Sequence, residues 1–91
     1  MKKSLRLYLT GPVQSMFFKQ FLRDSALKYN VRGYVRQLQD GRLEVFIEGD
    51  ADNVDLMVAV CKTGNKGAQI RKVEEKPEQF QDFKEFKILN F

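Results

Sequence analysis

The residues of this sequence best placed for chemistry lie in the stretch Thr10–Lys19, which reads TGPVQSMFFK. Here an alternating apolar run gives way to helical spacing. A strand that enters a helix through a glycine turn directs successive backbone N–H groups at one anion, and the helix dipole adds partial positive charge. Gly11 permits the turn. Lys19, in the first turn of the helix, lies close enough to add a full charge. The chemistry this serves is the capture of a phosphate-like anion, although strand–helix loops with a glycine are common and the pattern alone names no ligand.

The composition excludes much else. There is no histidine, which removes His general bases, Ser-His-Asp triads, Cys-His dyads and His metal sites. A single cysteine excludes an internal disulfide and a Cys-based metal cluster. Any catalysis works through backbone amides, amide side chains, Lys/Arg or carboxylates, and no metal or cofactor is expected. The net charge of +4 is unevenly spread: residues 1–38 hold eight bases and one acid (+7), residues 39–91 eight bases and eleven acids (−3). A basic N-terminal half fits an anionic ligand, or simply a solvated charged face. The longest apolar run, Leu56–Cys61, is too short to span a membrane. The N-terminal MKKSLRLYLTG alternates like a strand rather than running apolar like a secretory leader, so a cytoplasmic location is expected.

The elements that would position the loop follow from hydrophobic period. The 91 residues suffice for one domain, 1–91, with one core. Leu5, Leu7 and Leu9 alternate with Arg6, Tyr8 and Thr10, predicting a half-buried strand over 4–10. Gly11-Pro12 breaks it. Phe18, Phe21, Leu22, Ser25, Ala26 and Tyr29 share a helical face, ending near Asn30. A second strand covers 31–38, with Val31 and Val35 on one face and Tyr34 and Arg36 on the other. Asp40-Gly41 signals a hairpin, and 42–48 alternates again. Gly49 is expected to open a loop, with Asp50 or Asp52 capping a second helix that buries Val54, Met57, Val58 and Cys61 and stops at Gly64. A fourth strand is expected over 69–75, a polar connection over 77–82, and a short last strand over 83–89. The order predicts an α+β ferredoxin-like βαββαβ sandwich, an antiparallel sheet with two helices on one face plus a short C-terminal strand. That fold hosts many functions.

Two segments carry a family resemblance. Gly11-Pro12-Val13-Gln14-Ser15-Met16-Phe17-Phe18-Lys19 resembles the acylphosphatase signature G-x-V-Q-G-V-x-F-R. Gly33-Tyr34-Val35-Arg36-Gln37, with Asp40-Gly41, Leu43-Glu44-Val45 and Glu48-Gly49, resembles the second signature, G-[aromatic]-V-x-N-x-x-D-G-x-V-E-V-x-x-E-G. The likeness runs over about residues 4–89. It implies a small enzyme that hydrolyses acyl phosphates without metal or covalent intermediate; a monomer is expected. It also implies a phosphate-binding loop formed by Gly11, Val13, Gln14, Ser15, Met16, Phe17 and Phe18. The family's arginine position, which holds the phosphoryl group, is Lys19. Its asparagine position, which orients the attacking water, is Gln37.

These departures bear on activity. Lysine is a point charge where arginine is a planar two-point fork. Gln37 carries its amide one methylene further out, and a displacement of about 1 Å can cost roughly 100-fold in rate. Ser15 replaces a loop glycine, and Pro12 removes a loop donor. The expectation is weak or absent hydrolysis from a degenerate active site. Three alternatives remain: a phosphate- or anion-binding module without turnover, a protein-interaction domain, and a nucleic-acid binder. The last would use Arg6, Tyr8, Tyr34, Arg36 and Phe46 on the open sheet face, but Glu44 and Glu48 on the same strand as Phe46 argue against it. Met16 and Phe17 read as loop packing, with an acyl-group contact as the other possibility. Cys61 reads as a buried small hydrophobe.

Overall fold

The computed structural model describes residues 1–13, 16–64 and 70–89. Its elements are β1 (Lys2–Thr10), α1 (Met16–Lys28), β2 (Arg32–Gln37), β3 (Leu43–Asp50), α2 (Ala51–Thr63), β4 (Lys72–Pro77) and β5 (Phe86–Leu89). The strands form one sheet in the order β4-β1-β3-β2-β5. The four strands of the βαββαβ unit are antiparallel neighbours, but β5 pairs with β2 in parallel. The sheet is therefore mixed, which the sequence reading did not anticipate. β4 and β5 lie at opposite edges of the sheet, and residues 78–85 join them by passing over its face.

The alternation of β1 decides the layers. Leu5, Leu7 and Leu9 join Val35, Leu43, Val45 and Ile47 beneath Phe18, Leu22 and Ala26 of α1 and Val54, Met57, Val58 and Cys61 of α2, forming the core. α1 lies over β2 and β5, and α2 over β3 and β1. α1 ends in a Schellman motif: Asn30 takes a left-handed φ of 56°, Val31 N–H donates to Ala26 O and Asn30 N–H to Leu27 O.

Several boundaries differ from expectation: β1 begins at Lys2 rather than residue 4, and β4 covers Lys72–Pro77 rather than 69–75, of which Gln69 lies outside the described residues. No loop opens at Gly49: β3 continues through Asp50 and passes directly into α2. Asp50 occupies the N-cap position but makes no side-chain cap bond, because its carboxylate pairs with Lys2. The last strand starts at Phe86 rather than Phe83. The β4–β5 connection is held down by Glu48, a buried carboxylate on the sheet's other face. Its Oε1 accepts from Ser4 Oγ (3.1 Å) and Gln81 N–H (2.8 Å), and its Oε2 from Phe83 N–H (2.7 Å).

That other face carries three cross-strand rows: Tyr8–Glu44–Arg36, Arg6–Phe46–Tyr34 and Ser4–Glu48–Arg32. Arg6, Tyr8, Tyr34, Arg36 and Phe46 do share it. However, Phe46 is only 1% exposed, stacked on Tyr34 and met edge-on by the Phe83 ring at 5.3 Å. Arg6 and Arg36 both reach the buried Glu44 carboxylate. The aromatic platform that a nucleic-acid binder needs is thus covered and its cations are paired.

Candidate active site

The register assembles the site at one end of the sheet. Leu9 and Gln37 both pair with Leu43, so the end of β1 and the end of β2 flank the start of β3 in one row, roughly 10 Å across. Gln37 has the parity of Val35 and so belongs to the helix-facing side of β2, over which α1 packs. Two residues past Leu9 the chain turns toward α1. Gly11 adopts φ 146°, a conformation open to glycine and strained for other residues. Val13 N–H closes the turn by donating to Gly11 O at 2.8 Å, and the Val13 side chain is fully buried. Gly11, Pro12 and Val13 thus form the hinge of the loop and anchor it in the core. Gln14 and Ser15 lie outside the described residues.

α1 then begins at Met16. The N–H groups of a helix's first turn point along its axis, and the macrodipole makes that end positive. The first turn of α1 contains no acidic residue, whereas that of α2 contains Asp52. Instead it carries Lys19, a half-buried cation that forms no ion pair among the described residues. A cation at a helix N-terminus opposes the dipole and costs roughly 0.3–1 kcal/mol. A bound anion reverses the sign of that effect, so the local electrostatics suit an anionic ligand. Phe18, which precedes Lys19, is locked in the core at 1% exposure and fixes the rotation of the helix.

Met16 and Phe17 lie in the first turn of α1. Met16 is 48% exposed and Phe17 81%. Composition gave no signal of this, because residues 16–18 are all apolar and only the rotation of α1 separates the buried Phe18 from its neighbours.

Gln37 makes a contact that sequence reasoning missed. Its Nε2 donates to the carbonyls of Gly41 (3.0 Å) and Arg42 (3.1 Å) in the β2–β3 turn. Both amide protons are therefore engaged with the backbone. Its Oε1 faces away from those carbonyls, is buried, and has no hydrogen-bond partner among the described residues. A buried acceptor without a donor is uncommon and marks a place for a donor. The turn is stiffened further by Asp40, whose carboxylate accepts from Arg42 N–H (3.0 Å) and Arg42 Nε (2.8 Å).

Among the described residues, no group of three or more Cys, Asp or Glu side chains is arranged to hold a metal ion, and no helix is long and apolar enough to cross a membrane.

The split βαβ sandwich thus brings a glycine turn, a cation-bearing helix start and a strand-end amide into one layer. Comparison with known proteins identifies the family. The Acylphosphatase family pattern matches residues 5–88. The chain is 40% identical over 85 residues to the acylphosphatase of Pyrobaculum islandicum, covering 91% of this chain and 90% of that protein. It is 42% identical over 77 residues to that of Rubrobacter xylanophilus, covering 82% and 70%. The fold of the Bacillus subtilis acylphosphatase crystal structure superposes with a TM-score of 0.90 at 24% identity, over 98% of this chain and 99% of that one. The chain belongs to the acylphosphatase family.

Proposed function

We propose that this chain, as a single domain over 1–91, acts on acyl phosphates: it binds the phosphoryl group at the start of α1 and cleaves the carboxyl–phosphate bond slowly. The N–H groups of the loop and of the first turn of α1, together with Lys19, hold the phosphoryl oxygens and stabilise the charge that develops on them. A water molecule attacks phosphorus, the bond from phosphorus to the acyl oxygen breaks, and the carboxylate leaves with the electron pair. The water's proton passes to the phosphate product. A carboxylate is a weakly basic leaving group and needs no general acid, so the absence of histidine is compatible with the reaction. The work left to the protein is positioning and charge stabilisation.

The observation that carries the reduced rate is the double donation from Gln37 Nε2 to Gly41 and Arg42. It leaves no amide proton of Gln37 free for the attacking water, and Oε1 is buried. Lys19 adds charge without the two-point geometry of arginine. The reading includes a monomer that works in the cytoplasm without metal. Phosphate binding without turnover is the second reading, favoured by the same engagement of Gln37.

The test is hydrolysis of benzoyl phosphate by the wild type and by Lys19→Arg/Gln37→Asn, with inorganic phosphate titrated in parallel. The expected result is slow wild-type turnover raised roughly 100-fold in the double variant. Phosphate binding with no turnover in either protein supports the second reading. Rapid wild-type hydrolysis that falls in the double variant overturns the argument from side-chain geometry.

A further inference from the structure

We infer that Asp40 is a positioning residue for the proposed reaction: by fixing the peptide group between Gly41 and Arg42, it holds Gln37 in its turn-bound arrangement and so limits turnover. The inference rests on the reading above, in which the engaged Gln37 amide slows hydrolysis, and adds what keeps that amide engaged. The two carbonyls that accept from Gln37 Nε2 are those of Gly41 (3.0 Å) and Arg42 (3.1 Å). They belong to the peptide groups on either side of the Arg42 Cα. A trans peptide is planar, and its C=O and N–H point in opposite directions. The Arg42 N–H donates to Asp40 Oδ1 at 3.0 Å, which aims the Gly41 carbonyl of the same plane away from Asp40 and toward Gln37.

Gly41 itself offers little resistance to rotation of this plane. Its φ is 94°, a region that glycine enters freely and a side chain would strain. The plane is held by its hydrogen bonds instead. Arg42 keeps Asp40 in place: its Nε donates to Asp40 Oδ2 at 2.8 Å, its guanidinium lies 4.7 Å from the centre of the Tyr8 ring, and its Nη1 is 3.9 Å from Glu74 Oε2. The pin therefore reaches from the turn to β1 and β4. The Arg42 carbonyl is held separately, by Leu38 N–H at 2.9 Å. Loss of the Asp40 carboxylate thus loosens one of the two acceptors of Gln37 and leaves the hairpin closed. Asp40 is exposed, so replacing it opens no cavity in the core.

The test measures benzoyl phosphate hydrolysis by the wild type, Asp40→Ala and Asp40→Asn, and by the same two variants in the Gln37→Asn background, where the shorter side chain does not reach the turn. Asp40→Ala is expected to raise kcat about fivefold, the shift in population that follows the loss of one ordinary hydrogen bond to Gln37. KM and inhibition by inorganic phosphate stay unchanged. Asp40→Asn keeps an acceptor for the Arg42 N–H and stays near the wild-type kcat. In the Gln37→Asn background Asp40→Ala adds nothing, because residues that act through one contact are not additive. Lys3→Ala, which removes the exposed Lys3–Asp55 ion pair, keeps the wild-type kcat and controls for general loosening. An unchanged or lower kcat in Asp40→Ala, or an equal gain in the Gln37→Asn background, overturns the inference and leaves the proposed reaction standing. No turnover in any variant, Gln37→Asn included, removes the proposed reaction and the inference with it.

Discussion

Gln37 and Arg42 are joined across the β2–β3 turn, where the Arg42 carbonyl accepts two hydrogen bonds. The Arg42 carbonyl accepts from Leu38 N–H at 2.9 Å and from Gln37 Nε2 at 3.1 Å. The side chain that the resemblance aligns with the family's asparagine is thus part of the turn's framework. Its extra methylene is what lets the amide reach back to the turn backbone.

Activity and stability should consequently oppose each other at this position. Gln37→Asn shortens the side chain and releases the amide from Gly41 and Arg42. We expect a loss of about 1 kcal/mol per abandoned hydrogen bond, read as a lower urea midpoint, alongside a gain in benzoyl phosphate turnover. A variant that gains turnover with an unchanged midpoint would show that the turn does not depend on this contact.

Lys19 offers the reverse experiment. Lys19→Glu places an anion at the N-terminus of α1, where the dipole welcomes it. The folded protein should gain roughly 0.3–1 kcal/mol at low salt and lose detectable binding of inorganic phosphate. Thermal melts at two ionic strengths, with phosphate titration, test both halves. Destabilisation at low salt would contradict the electrostatic reading of this helix end.

Glu48 anchors the connection that delivers β5 to the sheet. Glu48→Gln replaces one acceptor oxygen with an N–H₂ group that faces a backbone donor. The loss should be about 2–3 kcal/mol, since hydrogen bonds to a charged group are the stronger kind and the position is buried. Amide exchange at Gln81 and Phe83 should accelerate more than at Val45, in the centre of the sheet. Uniform acceleration would mean that the connection is not locally held.

Cys61 is buried in the core, and burial pushes its thiol up to about 12. The folded state therefore keeps the proton longer than the unfolded chain does. Stability from this group is complete below the ordinary thiol pKa, near 8.5, and falls as pH rises from there toward 12. The thiol should react with an aromatic disulfide reagent only at the rate of global opening. Urea should accelerate the reaction in step with unfolding, and fast reaction in the native protein would refute the burial.

Asp40 acts at the opposite end of the pH scale. The Arg42 N–H, and then its guanidinium, hold the Asp40 carboxyl below the usual carboxylate range. The stabilisation of the turn is present at neutral pH and is lost as pH falls through that lowered value. Gln37 grips the same turn, so its amide proton signals should shift in the same acid window.

Much of this protein was legible in its sequence because the information is local. Period two in Leu5, Leu7 and Leu9 and period 3.6 in Val54, Met57, Val58 and Cys61 assign faces without reference to any partner. The absence of histidine bounds the chemistry, and the glycine turn before a helix is visible in the sequence as a candidate anion site. The tertiary structure decided what depends on pairing and rotation. Docking of β5 at the edge opposite β4 requires a crossing segment whose anchor, Glu48, is 35 residues from Phe83. The exposure of Phe17 beside the buried Phe18 follows from how α1 sits on β2, and the engagement of Gln37 follows from where the turn carbonyls point. Neighbouring residues alone specify none of these. Each is fixed by contacts between segments far apart in the chain, and those contacts form only when the core closes.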